Sequence, residues 1–141
     1  MRCTLLLLTL PLIFSFAQDN LPEYGDISDL KNLQRVYLTA DSTDARQMIL
    51  KELKKHPSLV VVNRPEEAEF FIEYKVLRSE RVKVGIFTGT AEATAEMTAY
   101  TLKDSRRRIA WSKTEDNDGL SRPNEINLTR NFIKALKTAQ K

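Results

Sequence analysis

The stretch that decides the fold is EFFIEYKVLRSERVKVGIFTGTAEATAEMTAYTLKDSRRRIAW, residues 69–111. Apolar side chains recur at every second position in its three parts: Phe70, Ile72, Tyr74 and Val76; then Ala91, Ala93, Ala95, Met97 and Ala99; then Ile109 and Trp111. Successive side chains of a strand point to opposite faces, so each part indicates a strand with one buried face. The stretch therefore predicts three consecutive strands over residues 69–84, 90–102 and 108–111. A tight turn is expected at residues 103–106.

The segment before these strands predicts a strand, a helix and a second strand. Residues 33–39 alternate as a strand does, and residues 41–44 offer hydroxyl and carboxylate caps for a helix. The apolar stripe of that helix consists of Ala45, Met48, Ile49 and Leu53. The helix should end near His56, because the residue before a proline is disfavoured in the α conformation. Residues 58–62 form an apolar run typical of a central strand, and the crossover should place it parallel to the first strand.

The segment after residue 111 predicts a polar loop at 114–123 and a second amphipathic helix at 124–139. We expect Ser121 or Asn124 to cap this helix. Its apolar side comprises Leu128, Phe132, Ile133, Ala135, Leu136 and Ala139.

The order of elements is then β-α-β-β-β-β-α. Two amphipathic helices and a sheet with one apolar face predict an α/β (α+β) fold, a two-layer sandwich in which a mixed sheet of about five strands carries both helices on one face. The side chains expected to be buried include Trp111, Phe70, Ile72, Leu53 and Leu136. The other face of the sheet is predicted to be open and polar, and to carry Glu73, Lys75, Glu92, Thr94, Glu96 and Thr98.

The amino terminus has the pattern of a secretory signal peptide. A positive charge at Arg2 precedes the apolar run 5–16, and small residues stand at Ser15 and Ala17. The run is shorter than the roughly 20 residues needed to span a bilayer, which favours cleavage near Ala17. We therefore expect residues 1–17 to be the signal peptide, 18–32 a loose lead-in and 33–141 one domain, periplasmic or secreted.

Charge and cysteine content narrow the class of protein. The formal net charge of +3 is too small to favour binding to nucleic acid, although it is compatible with peripheral membrane contact. The only cysteine, Cys3, leaves with the predicted signal peptide, so the mature protein would contain no disulfide. Small secreted eukaryotic domains usually depend on disulfides, which makes a bacterial periplasm the better fit.

No set of residues in the sequence has the pattern of a known catalytic site. His56 is the only histidine, and neither a Gly-x-Ser-x-Gly motif nor a glycine-rich phosphate loop occurs. The nearest group of carboxylates is Glu66, Glu67 and Glu69, and an acidic turn explains it. We therefore expect a protein that is not an enzyme, with a hydrolase of unrecognised motif as the alternative.

Residues 114–125 partly match a calcium-binding EF-hand loop. Asp116, Asp118 and Glu125 occupy positions three, five and twelve of such a loop, and a helix follows. Position one is Thr114, which removes a carboxylate ligand and predicts weak binding. A solvated acidic turn is the simpler interpretation. We otherwise expect no cofactor.

Arg106, Arg107 and Arg108 form the strongest run of positive charge. Together with basic residues on the neighbouring strand they would make a basic surface for anionic polymers or lipid headgroups. Glutamates at alternating positions of the adjacent strands offer ion-pair partners for the same arginines. Ion pairing across the strands is the favoured interpretation.

An apolar pair, Ile86 and Phe87, lies between Gly85 and Gly89 at the connection of two long strands. A turn needs no apolar side chains, so the pair predicts either a partner-binding tip or a loop that folds back over the sheet. Both readings remain open.

Several short motifs resemble the periplasmic βαββ modules of bacterial envelope proteins, such as the amino-terminal domain of TolB and the curli-secretion CsgG group. The motifs are Val36-Tyr37-Leu38, the capped helix up to Leu53, Leu59-Val60-Val61-Val62, Pro65-Glu66-Glu67-Ala68-Glu69-Phe70 and Ile109-Ala110-Trp111. The resemblance covers residues 33–112 and implies an adaptor or assembly role. The chain lacks the lipobox cysteine and the pore-forming segments of the secretion group, so no channel is implied.

These observations favour an exported, non-enzymatic binding or accessory module of the bacterial cell envelope. It would act through contacts with an envelope protein partner. A weak calcium-binding domain using the 114–125 loop and a hydrolase without a recognisable motif are the alternatives.

Overall fold

The computed structural model describes residues 21–84, 87–117 and 122–141, and the side chains of these residues outside 80–92. The described elements are β1 Glu23–Tyr24, β2 Arg35–Ala40, α1 Thr43–Leu53, β3 Val60–Val61, β4 Phe70–Val84, β5 Phe87–Lys103, β6 Arg106–Asn117 and α2 Asn124–Ala139. Short 3-10 helices span Ile27–Leu30 and Pro65–Glu67. The strands form one mixed sheet in the order β1-β6-β5-β4-β2-β3. The predicted α/β sandwich is confirmed, with one strand more than expected.

Helix α1 begins and ends where the sequence predicts. The side chain of Ser42 accepts a hydrogen bond from the amide of Ala45, which satisfies one of the free N–H groups at the helix start. The helix ends at Leu53, before His56 and Pro57. Local capping chemistry and the proline therefore determine both ends of α1.

The prediction that residues 58–62 form a central strand is wrong. Strand β3 contains only Val60 and Val61, lies at the sheet edge and leaves Val60 52% exposed. It is parallel to β2 as expected, but β4 also pairs with β2 in parallel and takes the inner position. The apolar run thus forms an edge strand, and its composition alone does not distinguish an edge strand from a central one.

The turn between β5 and β6 is a two-residue hairpin connection. Asp104 and Ser105 both adopt positive φ angles, 50° and 62°, which the reversal between twisted strands requires. Strand β6 then continues to Asn117, so the polar loop predicted from Thr114 is wrong over its first four residues. Pairing with β5 extends the strand beyond the apolar segment, since Ala93 to Glu96 supply partners for these polar residues.

The core lies between one face of the sheet and the two helices. Fully buried side chains come from β2, β4, β5, α1 and α2, among them Leu38, Ile49, Leu53, Phe70, Ile72, Met97, Leu128, Phe132 and Leu136. Four of the five side chains predicted to be buried are buried, but Trp111 is only half-buried. Its ring packs against Phe132 at 5.4 Å between centroids, at the margin of the core.

A bulge in β6 changes which face its side chains occupy. Trp111 pairs with Ala99 and Ile109 with Tyr100, which leaves Ala110 as an extra residue between them. Ile109 and Trp111 therefore point to opposite faces, although their spacing predicts one face. A single inserted residue reverses the alternation, and the spacing of apolar residues does not reveal it.

The lead-in is not loose over its described part. Strand β1 pairs with β6 in parallel, and Leu30 from the following 3-10 helix is fully buried. Asp26 caps that helix, and Asp29 bonds back to the amide of Asp26 as in a capping box. Residues 21–32 thus belong to the folded unit, contrary to expectation.

Candidate functional site

Of the apolar pair predicted to bind a partner, the structure describes the backbone of Phe87 alone. Gly85 and Ile86 lie outside the described residues, whereas Phe87 begins β5 and pairs with Val84. The backbone of Phe87 is therefore in the strand and not in a long loop. Its side chain is also outside the described part, and the role of the pair stays a prediction.

The arginine run does not form a free basic surface. Arg108 donates to Asp29 at 2.9 Å and to Glu23 at 2.7 Å, and thereby fastens the amino-terminal segment to β6. The hydrogen bond from Arg108 lowers the pKa of Asp29. Arg107 donates to Glu73 at 3.0 Å on the other face. Arg106 is exposed beside the turn. Pairing of opposite charges thus accounts for two of the three arginines.

The predicted calcium residues lie in different elements. Asp116 lies in β6 and accepts a hydrogen bond from the hydroxyl of Thr94 at 2.6 Å, while Glu125 is in the first turn of α2. Asp118 lies outside the described residues. Within the described ranges, no group of three or more histidine, cysteine, aspartate or glutamate side chains is placed to hold a metal ion. Calcium binding stays a prediction.

Asn124 does not cap α2 as predicted. Its amide donates to the carbonyl of Ala93 at 2.8 Å and joins the helix start to β5. Pro123 stands at the N-cap position, with no capping hydrogen bond from its side chain. Ser121 lies outside the described residues.

Carboxylates of the acidic turn at residues 66–69 form hydrogen bonds and an ion pair with nearby residues. Glu69 accepts hydrogen bonds from the amides of Gln34 and Arg35, both at 2.8 Å, and these bonds lower its pKa. Glu67 pairs with Arg64 three residues away. Two of the three carboxylates of the turn, Glu67 and Glu69, thus hold a loop or strand end, which agrees with the simpler of the two sequence interpretations.

An aromatic row crosses the open face of the sheet, which the sequence predicts to be polar. Tyr37, Phe71, Tyr100 and Ile109 are register partners on four adjacent strands, and we call them the open-face row. The Tyr37 and Phe71 rings meet edge-on at 6.2 Å, and the Phe71 and Tyr100 rings stack at 5.2 Å. Tyr24 continues the register on β1. Both helices pack against the opposite face, so no described element covers the row.

Charged side chains surround this row. The guanidinium of Arg107 lies 4.6 Å from the centre of the Tyr100 ring, a cation–π distance, while it binds Glu73. Lys75 also pairs with Glu73, at 3.2 Å. Burial raises the pKa of Tyr100, whose hydroxyl therefore stays neutral. Glu73 and Lys75 were predicted on this face, and two others of that set, Thr98 and Glu96, form hydrogen bonds with Ser112.

Sequence reasoning missed the row because its three aromatic members occupy positions between core residues, and because the bulge at Ala110 turns Ile109 to this face. Phe71 follows Phe70 and Tyr100 follows Ala99, so alternation assigns both to the polar face. Two consecutive aromatic residues in one strand were the available signal, since they place a large ring on each face.

A second candidate site is a cavity of about 550 Å³ between the end of α1 and the carboxyl-terminal part of the chain from Arg130 onward, which we call the helix-end cavity. Its lining residues are Glu52, Lys55, His56, Arg130, Ile133, Lys134, Lys137, Thr138 and Lys141. Among these described residues, five carry a positive charge and one a negative charge. A cavity with this balance attracts anions.

Glu52 is buried at the base of the cavity and holds two of the cations. It accepts hydrogen bonds from Arg130 at 3.0 Å and from Lys55 at 2.5 Å. The hydrogen bonds from Arg130 and Lys55 hold the pKa of Glu52 below its ordinary value. Glu52 thus connects α1 to α2 through charge-assisted hydrogen bonds.

Replacing Glu52 with glutamine should destabilise the protein in a pH-dependent way. Because the pKa of Glu52 is lower in the folded state, its stabilisation is present above the unfolded pKa and is lost as the pH falls through the folded pKa. We expect Glu52→Gln to cost about 1–3 kcal/mol at pH 7 and much less at pH 3. Urea unfolding at the two pH values measures the difference.

Glu67→Gln is the matched control, because Glu67 is more exposed and its partner Arg64 is largely in water. Its cost should stay below about 1 kcal/mol at either pH. An equal cost of Glu52→Gln at pH 7 and pH 3 would show that the carboxylate charge does not stabilise the fold.

No family model matches the chain, and no curated protein matches it. Among solved structures, the hypothetical protein CT253 from Chlamydia trachomatis is 10% identical, with a TM-score of 0.43 over 74% of this chain and 87% of that one. A PelC dodecamer from Paraburkholderia phytofirmans is 16% identical, with a TM-score of 0.43 over 76% and 86%. Rare lipoprotein B from Shewanella oneidensis is 8% identical, with a TM-score of 0.40 over 76% and 96%.

Several similar structures are bacterial lipoproteins. None of these similar structures is a TolB or CsgG protein. At these identities and scores, the likeness concerns only the general arrangement of strands and helices. In the part of this chain that the structure describes, no helix is long and apolar enough to cross a membrane.

Proposed function

We propose that this protein is an exported, non-enzymatic binding module of the bacterial cell envelope that acts through protein contacts on the open face of its sheet. The open-face row carries the proposal. Tyr37, Phe71 and Ile109 are half-buried on a face that no described element covers. Aromatic side chains with part of their surface in water are typical of interface centres.

The surroundings of the row specify the kind of partner. Lys75 and Arg107 share the carboxylate of Glu73, so this group of three charged side chains beside the rings carries one net positive charge. A partner surface with an apolar centre and an acidic margin would complement it. The pair Ile86 and Phe87, of which Phe87 begins β5, is a second contact in this proposal.

Site-specific photo-crosslinking in the periplasm of the source cell tests the proposal. A photoreactive residue at Tyr37 should form one discrete adduct with a protein, whereas the same residue at Lys51, exposed on α1, should not. Tyr37→Ser should lower the yield of that adduct, measured from a photoreactive residue at Phe71, at least tenfold, because an aromatic anchor at an interface contributes about 2 kcal/mol or more.

The double variant Ile86→Ser with Phe87→Ser tests the tip in the same assay. A tenfold loss of adduct with unchanged melting would place the tip in the interface. Earlier melting with an unchanged yield per folded molecule would assign the pair to the core. If neither Tyr37→Ser nor the double variant lowers the yield, the protein does not act through these contacts.

A further inference from the structure

We propose that the helix-end cavity binds a phosphate monoester group. The cavity is on the helical side, away from the open-face row, so this function is additional to the protein contact proposed above. Its cationic side chains include Lys55 from the turn that follows α1, and Arg130, Lys134 and Lys137 from α2. An anion in the cavity would therefore contact two elements at once.

The charge in the cavity is only partly balanced. Glu52 engages Lys55 and Arg130. The three remaining cations are Lys134 and Lys137 on α2 and Lys141, which follows the end of α2. Within the described residues, no carboxylate lies at ion-pair distance from these three lysines. The spacing of three residues places Lys134 and Lys137 on one side of α2. Lys141 lines the same cavity, so the fields of the three lysines add there.

A buried nitrogen at the cavity has no partner. His56 is only 5% exposed, and its Nδ1 is 2.7 Å from the hydroxyl of Ser58. Its Nε2 is buried and has no hydrogen-bond partner among the described residues. When the Ser58 hydroxyl donates to Nδ1, Nε2 carries the proton and is a donor. A ligand oxygen would satisfy a group whose burial without a partner is costly.

The dipole of α2 is a simpler explanation for the lysines of the cavity, but it does not explain His56. Cations in the last turns of a helix complement its dipole, which accounts for Lys134 and Lys137 on α2. The dipole gives no reason for an unpartnered nitrogen of His56 under the same lysines. The two observations together indicate a ligand.

The number and type of donors favour phosphate over a carboxylate. Three lysines and an imidazole exceed the two oxygens of a carboxylate, whereas a phosphate monoester offers three terminal oxygens and nearly two negative charges. Ile133 supplies an apolar wall, and a volume of about 550 Å³ admits a small organic group beyond the phosphate. The same group occurs in soluble phosphate esters and in lipid headgroups.

His56 reports directly on the cavity because it is the only histidine in the chain. Burial and the neighbouring charge of Lys137 lower the pKa of its imidazole. A bound dianion offsets the lysine charge, so the pKa should rise. In the untagged protein, saturating glycerol 3-phosphate should raise the pKa of His56 by at least about half a unit, measured from its proton NMR signal.

Two double variants make the test specific. Lys134→Gln with Lys137→Gln should weaken glycerol 3-phosphate binding at least tenfold. Lys31→Gln with Lys103→Gln removes the same charge from exposed positions outside the cavity and should leave binding unchanged. If both double variants weaken binding equally, the proposal is wrong, because the net charge of the protein and not the cavity would then determine the binding of glycerol 3-phosphate.

Vesicles distinguish the two sources of the group. Binding to phosphatidylcholine vesicles that contain phosphatidic acid, lost in the Lys134 and Lys137 double variant, assigns the site to a lipid headgroup. A response to glycerol 3-phosphate without vesicle binding assigns it to a soluble ester. If neither probe moves the His56 signal, the cavity is not a phosphate site.

Discussion

Replacing Phe70 with alanine is expected to lower the free energy of unfolding by about 3–5 kcal/mol. Phe70 is fully buried at the start of β4, where it pairs with Val36 of β2 and packs against Phe132 of α2 at 6.2 Å between rings. Its removal leaves a cavity between the sheet and a helix, and neither can close it without moving. Because domains of this size are stable by about 5–15 kcal/mol, the variant should be close to unfolding.

Phe71→Ala is the matched control, since it removes the same side chain from the next residue on the other face. Phe71 is half-buried, and its loss should cost about 1–2 kcal/mol through its contacts with Tyr37 and Tyr100. Urea unfolding curves measure both values. A larger cost for Phe71 than for Phe70 would mean that the two faces of β4 have been assigned the wrong way round.

The pair Phe70 and Phe71 also shows how far the sequence determines this fold. Alternation predicts β4, β5 and the buried face at Phe70 and Ile72, because burial on one side of a strand imposes a period of two. Capping residues and prolines predict α1, whose ends depend on local hydrogen bonds alone. These features are local, and each was predicted within a few residues.

Features that depend on distant partners were not predicted. The bulge at Ala110 is set by the register between β5 and β6, and it moves Ile109 into the open-face row. Strand β3 is at an edge because β4 lies beside β2, which the sequence of residues 58–62 does not encode.

The two candidate sites also depend on residues that are distant in the sequence, and the sequence predicts neither of them. The open-face row consists of residues from four strands, and the helix-end cavity joins His56 to lysines about 80 residues away. Isolated aromatic residues and lysines carry no motif, so only the fold brings them together. The arginine run 106–108 shows the opposite: the sequence suggests a basic surface, but in the fold two of its three arginines, Arg107 and Arg108, form ion pairs.

Replacing Leu30 with alanine is expected to lower the free energy of unfolding by about 2–5 kcal/mol. This result would separate an integral amino-terminal segment from the loose lead-in that the sequence predicts. Leu30 is fully buried in the core, and the segment before it is fixed to β6 by ion pairs from Arg108 to Asp29 and Glu23. Gly25 permits this close approach, since an added Cβ would lie 2.8 Å from the Nε of Arg108.

Leu21→Ala serves as the control, because Leu21 is 77% exposed in the same segment and its loss should change stability by no more than about 0.5 kcal/mol. Denaturant unfolding followed by both tryptophan fluorescence and circular dichroism gives the two values. If the Leu30 and Leu21 variants unfold at the same denaturant concentration, residues 21–32 detach before the domain unfolds. If only Leu30→Ala is destabilised and both signals change together, the segment folds with the sheet as one cooperative unit.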